Sequence, residues 1–388
     1  QLIIIGGGAS GLAAACVAAR RGIKAVLLEK NNKLGKKLLA TGNGRCNIMN
    51  AGAPVYFGDA AFAGEVLSFC PPQSVKEEGG RVYPAGNRAD MVLDAFVEPL
   101  AGSSVQVLLD AEAVSIEQLK DGWRITTAKG DTWEAPSLIL AGGGCAAPKL
   151  GGSDSMYTLA RSLGFSLVAP WPALCALETE RKPLKGLSGL RLIARLTLLQ
   201  EGQPVDAAQG EALFSDTGIS GVCAMQLARA AGQGLQKGAG MALSLDFSPA
   251  LGLTDTAMER KMPQPPDANY HKVLKWLKLR RGYLAQHRLL SGALPKALAD
   301  CLQASTLEQT ARNLSDWRLQ VQGVRGFDHA QVAAGGISTQ GINPQTMESP
   351  LNGLYLTGEL LNVDGDTGGH NLMFALATGI LAGESVGV

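Results

Sequence analysis

The sequence predicts an α/β fold built on a parallel sheet, with a β-rich region and a helical segment inserted into it. Three observations carry this reading. The apolar run Leu2-Ile3-Ile4-Ile5 leads straight into Gly6-Gly7-Gly8-Ala9-Ser10-Gly11. A second apolar run, Ala25–Leu28, follows an Ala-rich stretch and ends at Glu29. Near the far end, Gly353–Glu359 reads as another strand, before a Gly-rich turn and an apolar helix.

Each part has a physical reason. Four consecutive apolar residues suit a strand buried on both faces of a parallel sheet. The spacing Gly6-x-Gly8-x-x-Gly11 permits a tight turn, close approach of backbone to a pyrophosphate, and packing of helix on strand. The helix that follows, to about Arg21, offers unsatisfied N–H groups and its positive dipole end to phosphates. Glu29 is placed to accept hydrogen bonds from a ribose diol. Strand, turn, helix, strand and acid, in that order, predict an adenine-dinucleotide site.

At 388 residues the chain has room for two or three domains and a sizeable core. A hydrophobic content of 46% with 18% charged residues is that of a globular protein. Formal net charge is +1, so any affinity for nucleic acid must come from a local patch. The seven cysteines form no close pair; they suit neither a disulfide framework nor a zinc ribbon. No metal is expected, and the reducing cytoplasm is the expected compartment. Residues 1–19 carry no charge, but their glycines and the acid-ended second strand argue against a signal or membrane segment. A few native residues are expected to precede Leu2.

After Glu29 comes a basic stretch dense in Gly, Asn and Thr, from Lys30 to Asn47. It is expected to be a ligand-wrapping loop rather than a helix, with Thr41, Gly42, Gly44 and Asn47 able to line a flat ring. Gly80–Pro84 reads as a short strand and turn, and Asp90 as the cap of a helix running to Leu100. Strands are expected at Val105–Leu109, Ala113–Leu119 and Trp123–Thr127, the last two as a hairpin. Ser137–Ala141 is another buried strand, running into Gly142-Gly143-Gly144. Gly142-x-Gly144-x-x-Ala147 imitates the nucleotide fingerprint. Pro148 and Gly151-Gly152 break the helix it would need, so no separate nicotinamide domain is expected.

From about Leu163 the character changes. Val168–Pro172 resembles a linker, Leu190–Leu199 a strand and Ser220–Ala231 a short helix. Pro249–Asn269 is proline-broken, and helical patterns resume at His271–His287 and Pro295–Leu302. The expected division is a dinucleotide domain of 1–162 and 336–388. The insertion, 163–335, is β-rich at 163–230 and 318–335 and helical and basic at 250–317. In the closing block, Asp364–Asn371 is a turn. Leu372–Leu381 is a helix whose N-terminus can stabilise negative charge.

Three blocks, Ile3–Gly11 with Glu29, Gly35–Asn47 and Gly353–Gly379, together resemble the BaiN-like family of bacterial FAD-dependent oxidoreductases. That family includes bile-acid-reductase-like and aminoacetone-oxidase-like flavoproteins. Lys36–Asn47 is the most specific block; Arg81–Pro84 and Phe214–Gly221 also match. The resemblance implies a Rossmann-like FAD-binding domain of the two-dinucleotide-binding-domain flavoprotein type, with an inserted β-rich domain and a helical insert. It implies noncovalent FAD, with NAD(P)H as electron donor. Gly6, Gly8, Gly11 and Glu29 would hold the ADP half, Thr41, Gly42, Gly44 and Asn47 would approach the flavin, and Glu359 would face the ribityl or pyrophosphate region. Gly368, Gly369 and Asn371 would sit at the helix end near the ring. Ala9, Ser10, Lys30, Lys37, Val114, Ala141, Gly142, Gly143, Gly358 and Asp364 are the further residues expected to bind the cofactor. Gly151–Tyr157 and Gly221-Val222 depart from the family pattern, on the substrate side.

Substrates linked to the family run from bile-acid enones to a uridine of 23S ribosomal RNA, which becomes dihydrouridine. Both present a C=C conjugated to a carbonyl, so one reaction serves: hydride to the β carbon, a proton to the α carbon, and donors near the carbonyl. Cys46, with Arg45 beside it, is the first candidate acid; Tyr83 and His370 are others. From His271 to Ala299 there are seven basic residues (Lys272, Lys275, Lys278, Arg280, Arg281, Arg288, Lys296) and no acid, with Trp276 and Tyr283 interleaved. That pattern suits an RNA-facing surface, and equally a solvated helix face. A small-molecule enone reductase, an amine oxidase and a non-catalytic nucleotide- or RNA-binding module are the alternatives.

Overall fold

The computed structural model describes residues 1–50, 57, 68, 75–78, 80–255, 259–261, 263–265 and 267–387. The chain forms two compact units, Gln1–Pro170 with Val332–Val388, and Trp171–Gln331. Part of the proline-broken stretch (256–258, 262 and 266) lies outside the described residues.

In the first unit, β1 (Leu2–Ile5), α1 (Ala9–Arg20) and β2 (Ala25–Leu28) form the expected βαβ start, with every strand residue buried. The two strands run parallel in register from Leu2 opposite Ala25 to Ile5 opposite Leu28. The stretch after Glu29 corrects the expectation of a plain loop: α2 (Lys36–Ala40) and a 3-10 turn (Thr41–Gly44) lie within it. Next, β3 (Met49–Asn50), β4 (Val75–Glu78) and β5 (Arg81–Pro84) make a small antiparallel sheet centred on β5. The cap of α3 (Ala89–Val97) is Arg88, not Asp90; Asp90 lies in the first turn, paired with Arg88 and accepting the Met91 N–H.

β6 (Val105–Leu108) joins β2 in parallel. β7 (Ala113–Leu119), β8 (Gly122–Thr127) and β9 (Thr132–Ala135) form an antiparallel layer, and the hairpin falls where expected. β8 buries Trp123, Ile125 and Thr127 in alternation, the period of a half-buried strand. β10 (Ser137–Leu140) pairs with β1, and α4 (Ser155–Ser162) follows. The expected linker at Val168–Pro172 instead lies inside β11 (Leu167–Ala173).

The second unit contains β12 (Leu177–Thr179), β13 (Arg191–Gln200), β14 (Gln203–Ser215) and β15 (Gly218–Ser220), then α5 (Val222–Gln236). β16 (Met241–Asp246) and β17 (Glu259–Lys261) precede α6 (Tyr270–Arg281), α7 (Lys296–Leu302), α8 (Leu307–Ser315) and β18 (Trp317–Val324). The strands form an antiparallel sheet in the order β13-β16-β18-β12-β15-β14-β17, and β13 also pairs with β14, so the sheet closes on itself. Leu196, Leu198, Phe214, Leu243 and Leu319 are buried, and Trp317 packs against Phe214 and Phe247.

Returning to the first unit, the chain adds β19 (Val332–Ile337), β20 (Leu354–Leu356) and α9 (His370–Ser385). The parallel sheet reads β20-β10-β1-β2-β6. α9 packs on α1 through glycines. A Cβ on Gly379 would lie 2.1 Å from the Ser10 carbonyl oxygen, and one on Gly383 would press on Val17. The end of the chain is thereby seated against its beginning. Among the described residues no helix is long and apolar enough to cross a membrane.

Candidate active site

The turn after β1 separates its three glycines by task. Gly6 has φ +109°, and a Cβ there would lie 2.4 Å from the Ala141 oxygen. A Cβ on Gly11 would lie 1.8 Å from the Gly6 oxygen, so Gly11 is what lets α1 start against the strand. Nothing lies within 4 Å of a Cβ on Gly8. The first helical bond runs from Leu12 N–H to the Gly8 oxygen, so the Ala9, Ser10 and Gly11 N–H groups lie before the ladder begins. Gly8 caps the helix without a side chain.

Glu29 is buried at the end of β2. Its Oε2 accepts the Gly7 N–H at 2.6 Å, and its Oε1 accepts from the backbone and side chain of Asn31. A carboxylate has about four acceptor positions, so this one is oriented by the turn with capacity to spare. Lys30 donates to Ser153 Oγ at 2.6 Å.

The following stretch is held to the chain's far end. Lys37 Nζ lies 2.8 Å from Glu359 Oε2, and Glu359 Oε1 accepts the Ala333 N–H at 2.9 Å. Thr41 Oγ1 closes α2 on the Lys37 carbonyl. Gly42, Asn43, Gly44 and Cys46 all have positive φ, a tightly wound run; a Cβ on Gly44 would meet nothing. Gly358, also at positive φ, donates to Thr378 Oγ1. A Cβ on Gly142 would strike Met156, while one on Gly143 would stand in open space. Ala141 and Asp364 are buried, and Val114 on β7 is half exposed.

The early stretch and the final helix meet. A Cβ on Gly369, the N-cap of α9, would lie 2.7 Å from the Met49 carbonyl carbon and 2.8 Å from Asn47 Oδ1. Gly368, next to it, lies against Arg81. Asn47 is buried and its Oδ1 has no hydrogen-bond partner among the described residues, nor has the Thr367 hydroxyl beside the helix start. The first bond of α9 is Met373 N–H to the Gly369 oxygen, which leaves the His370, Asn371 and Leu372 N–H groups outside the ladder.

Three candidates take roles different from those expected. Cys46 has no exposed surface, so its thiol does not reach the site wall and the acid role is withdrawn. The Asn371 side chain is spent on the turn before α9, accepting from Gly365 N–H and donating to the Gly365 and Asp366 oxygens. Arg280 of α6, expected to face RNA, donates to the Leu289 and Ser291 carbonyls at 2.6 and 2.8 Å with its guanidinium over Trp276.

Arg45 lies over the Tyr83 ring at 4.4 Å and donates to Asn87 Oδ1. Arg81 and Tyr83, two apart on β5, share a face. Burial pushes the His370 imidazole below its ordinary pKa; Asp366 opposes that shift and Arg81 reinforces it. Arg81, Asn87 and Thr367 are members that sequence reasoning does not single out: Arg81 lies within the Arg81–Pro84 match and Thr367 within the Asp364–Asn371 turn, each without a role of its own, and nothing points to Asn87. On α6, Val273 and Leu277 are buried, whereas Lys272, Lys275, Lys278 and Arg281 are exposed, as are Arg288 and Lys296 beyond it.

An open Gly8, two helix starts whose first N–H groups lie outside the helical ladder, an oriented acid and two buried polar atoms without a partner among the described residues fit a dinucleotide cofactor, and they define a dinucleotide-binding protein of the Rossmann class. The family described as "HI0933-like protein Rossmann domain" matches residues 1–69 and 71–385, and the chain belongs to it. The 3-dehydro-bile acid delta(4,6)-reductase of Clostridium scindens is 35% identical over 98% of each chain. The ribosomal RNA dihydrouridine synthase of Escherichia coli is 26% identical over 96% of this chain and 94% of its own. Its namesake from Haemophilus influenzae is 25% identical over 99% and 98%. The protein is thus a flavin oxidoreductase.

Proposed function

We propose that the protein reduces a C=C conjugated to a carbonyl, and that its substrate is a uridine of 23S ribosomal RNA, which becomes dihydrouridine in the cytoplasm. NAD(P)H is the proposed reductant. The observation that carries the RNA reading is the exposed face of α6, where Lys272, Lys275, Lys278 and Arg281 stand in a stretch without an acid. A surface of that kind neutralises phosphates, which supply most of the affinity of proteins for nucleic acid.

FAD, when bound, supplies the hydride equivalent that adds to the β carbon. The chain's own residues do the rest. The N–H groups at the start of α1 and the Glu29 carboxylate would hold the ADP half, and Lys37 with Glu359 would fix the adjoining wall. The N–H groups at the start of α9 offer donors where negative charge develops. Tyr83 is the proposed proton donor to the α carbon: a phenolic O–H is a donor by constitution, and the Arg45 guanidinium fixes its ring. His370, held neutral by burial, serves as a hydrogen-bonding group rather than as an imidazolium acid.

A second reading, reduction of a small enone, is favoured by the higher identity to the bile-acid reductase than to the dihydrouridine synthases. Mass spectrometry of 23S ribosomal RNA from a deletion strain decides between them. A missing dihydrouridine that the purified protein restores with NADPH or NADH supports the RNA substrate; unchanged dihydrouridine content rejects it.

A further inference from the structure

The second unit holds a cavity of about 240 Å³ lined by Arg195, Gln209, Thr254, Asp255, Gln264, Asn269 and Lys272. None of these residues belongs to the dinucleotide site. The wall comes from strand register. Arg195 on β13 stands directly opposite both Asp246 on β16 and Gln209 on β14, so the three share one face of the sheet. Each end of that row is fixed. Gln209 Nε2 donates to the backbone and side-chain oxygens of Asp255 at 3.0 Å, and Asn269 Nδ2 donates to Asp246 Oδ2 at 2.6 Å. Asn269 is the N-cap residue of α6, yet its side chain turns away from the helix to make that bond. It is buried, and its Oδ1 accepts no hydrogen bond among the described residues.

Two cations, one carboxylate, three amides and a hydroxyl make up the lining, which offers nothing to a hydrocarbon; the Asp246 carboxylate opposite Arg195 offsets part of that cation's charge, so Lys272 is the main attraction for an anion. At about 30 Å³ per water the cavity holds roughly eight waters, less than the ~300 Å³ at which drug-sized pockets begin. It therefore suits one small unit carrying an anion for Arg195 and Lys272 and a donor–acceptor edge for the amides. Lys272 is also the first of the exposed row Lys272, Lys275, Lys278, so a polyanion tracked by that row passes the cavity.

We propose that this cavity takes one nucleotide of a single-stranded RNA, its phosphate on Arg195 and Lys272 and its base edge on Gln264 and Asn269. Unstacked bases of single strands are commonly read in this way, by hydrogen bonds to their edges. The proposal rests on the RNA reading and adds to it the place where the strand is held.

The test uses the flavin-loaded protein, a labelled short oligouridylate followed by fluorescence anisotropy, and uridine monophosphate as competitor. Hydrogen exchange reports protection of 254–255 and 264–272. Gln264→Trp fills the cavity from an exposed position, Lys272→Glu is the second cavity variant, and Lys275→Glu alters the row outside it. Uridine monophosphate should compete with the oligouridylate and protect those segments. Both cavity variants should weaken both ligands by about tenfold or more, and Lys275→Glu only the oligouridylate. Oligouridylate binding that depends on Lys275 but ignores uridine monophosphate and both cavity variants overturns the cavity assignment and leaves the RNA reading standing. Uridine monophosphate binding without oligouridylate binding assigns the cavity to a free nucleotide and overturns the strand. Binding of neither overturns the proposal, and dihydrouridine content in the deletion strain then judges the RNA reading separately.

Discussion

Lys37 Nζ and Glu359 Oε2 stand 2.8 Å apart, joining the short helix after β2 to the turn after β20. Both side chains are mostly buried, at 30% and 20% exposure. Glu359 is tied on its other oxygen to the Ala333 N–H, so the pair fixes the wall of the site rather than floating on it. Lys37→Met leaves Glu359 less compensated and should lower stability by about 1 kcal/mol, at the upper end for a partly exposed pair. The larger effect should fall on the cofactor: after gel filtration the ratio of flavin to protein absorbance should drop well below wild type. Retention equal to wild type would remove the pair from the flavin site.

The glycines of the first turn make opposite predictions for one substitution. Gly11→Ala forces a Cβ to within 1.8 Å of the Gly6 oxygen, backbone against backbone, and should cost about 3 kcal/mol or more. Gly8→Ala meets nothing within 4 Å and has a negative φ, so it should fold with a loss of about 1 kcal/mol or less at an N-cap. Its defect should instead appear in FAD titration if, as the glycine spacing predicts, the pyrophosphate approaches the backbone at Gly8. Thermal melts of the apoproteins and flavin binding, measured side by side, separate the two. A Gly8→Ala protein with full FAD affinity would place the phosphates elsewhere.

The βαβ start was legible because its logic is local: Leu2–Ile5, the glycines and Glu29 fall within one supersecondary unit. The meeting of Asn47 with Gly369 rested on resemblance, since no local pattern brings the ends of the chain together. α2 escaped because five residues are too few for a period, and it is closed by Thr41 on the Lys37 carbonyl rather than by a cap in the sequence. β11 looked like a linker because of Pro170 and Pro172. Among the described residues it pairs with β19 alone, in a two-stranded sheet where a missing N–H is tolerated. Arg280 read as a free cation until carbonyls nine and eleven residues later in the chain engaged it. Cys46 is buried and has a φ of +56°, and no local pattern in the sequence announces either.

His370 should leave a mark on stability against pH. Its folded pKa lies below the ordinary 6.5, so between the two values the unfolded chain binds more protons than the folded one. Stability then rises with pH through that window and is lost as pH falls below about 6.5. His370→Asn removes the contribution: its Tm relative to wild type should improve as the pH is lowered and be constant above neutrality. A constant difference across the acid range would mean that His370 titrates normally.

Tyr83→Phe removes the proposed proton donor and keeps the ring under Arg45. The rate of product formation should fall by about 10² to 10⁴, the range for a lost general acid. Reduction of the bound flavin by NAD(P)H should proceed at the wild-type rate, since no proton reaches the substrate in that half-reaction. Stopped-flow measurement of the two half-reactions distinguishes this outcome from a general loss of structure, which would slow both.

Charge reversal on α6 tests the RNA surface against the bland reading of a solvated helix. Lys275, Lys278 and Arg281 are exposed, and Val273 and Leu277 carry the packing, so the Lys275→Glu, Lys278→Glu, Arg281→Glu triple variant should fold with its flavin. If each cation meets a phosphate, the slope of log affinity against log salt should decrease in magnitude by roughly 2, at about 0.7 per contact on a single strand. Reduction of ribosomal RNA should be lost at physiological salt, where the remaining contacts are screened. Turnover of a small enone, which needs no phosphate contact, should be retained. Equal loss of both activities would assign α6 to the integrity of the fold, and equal retention would make it a solvated face.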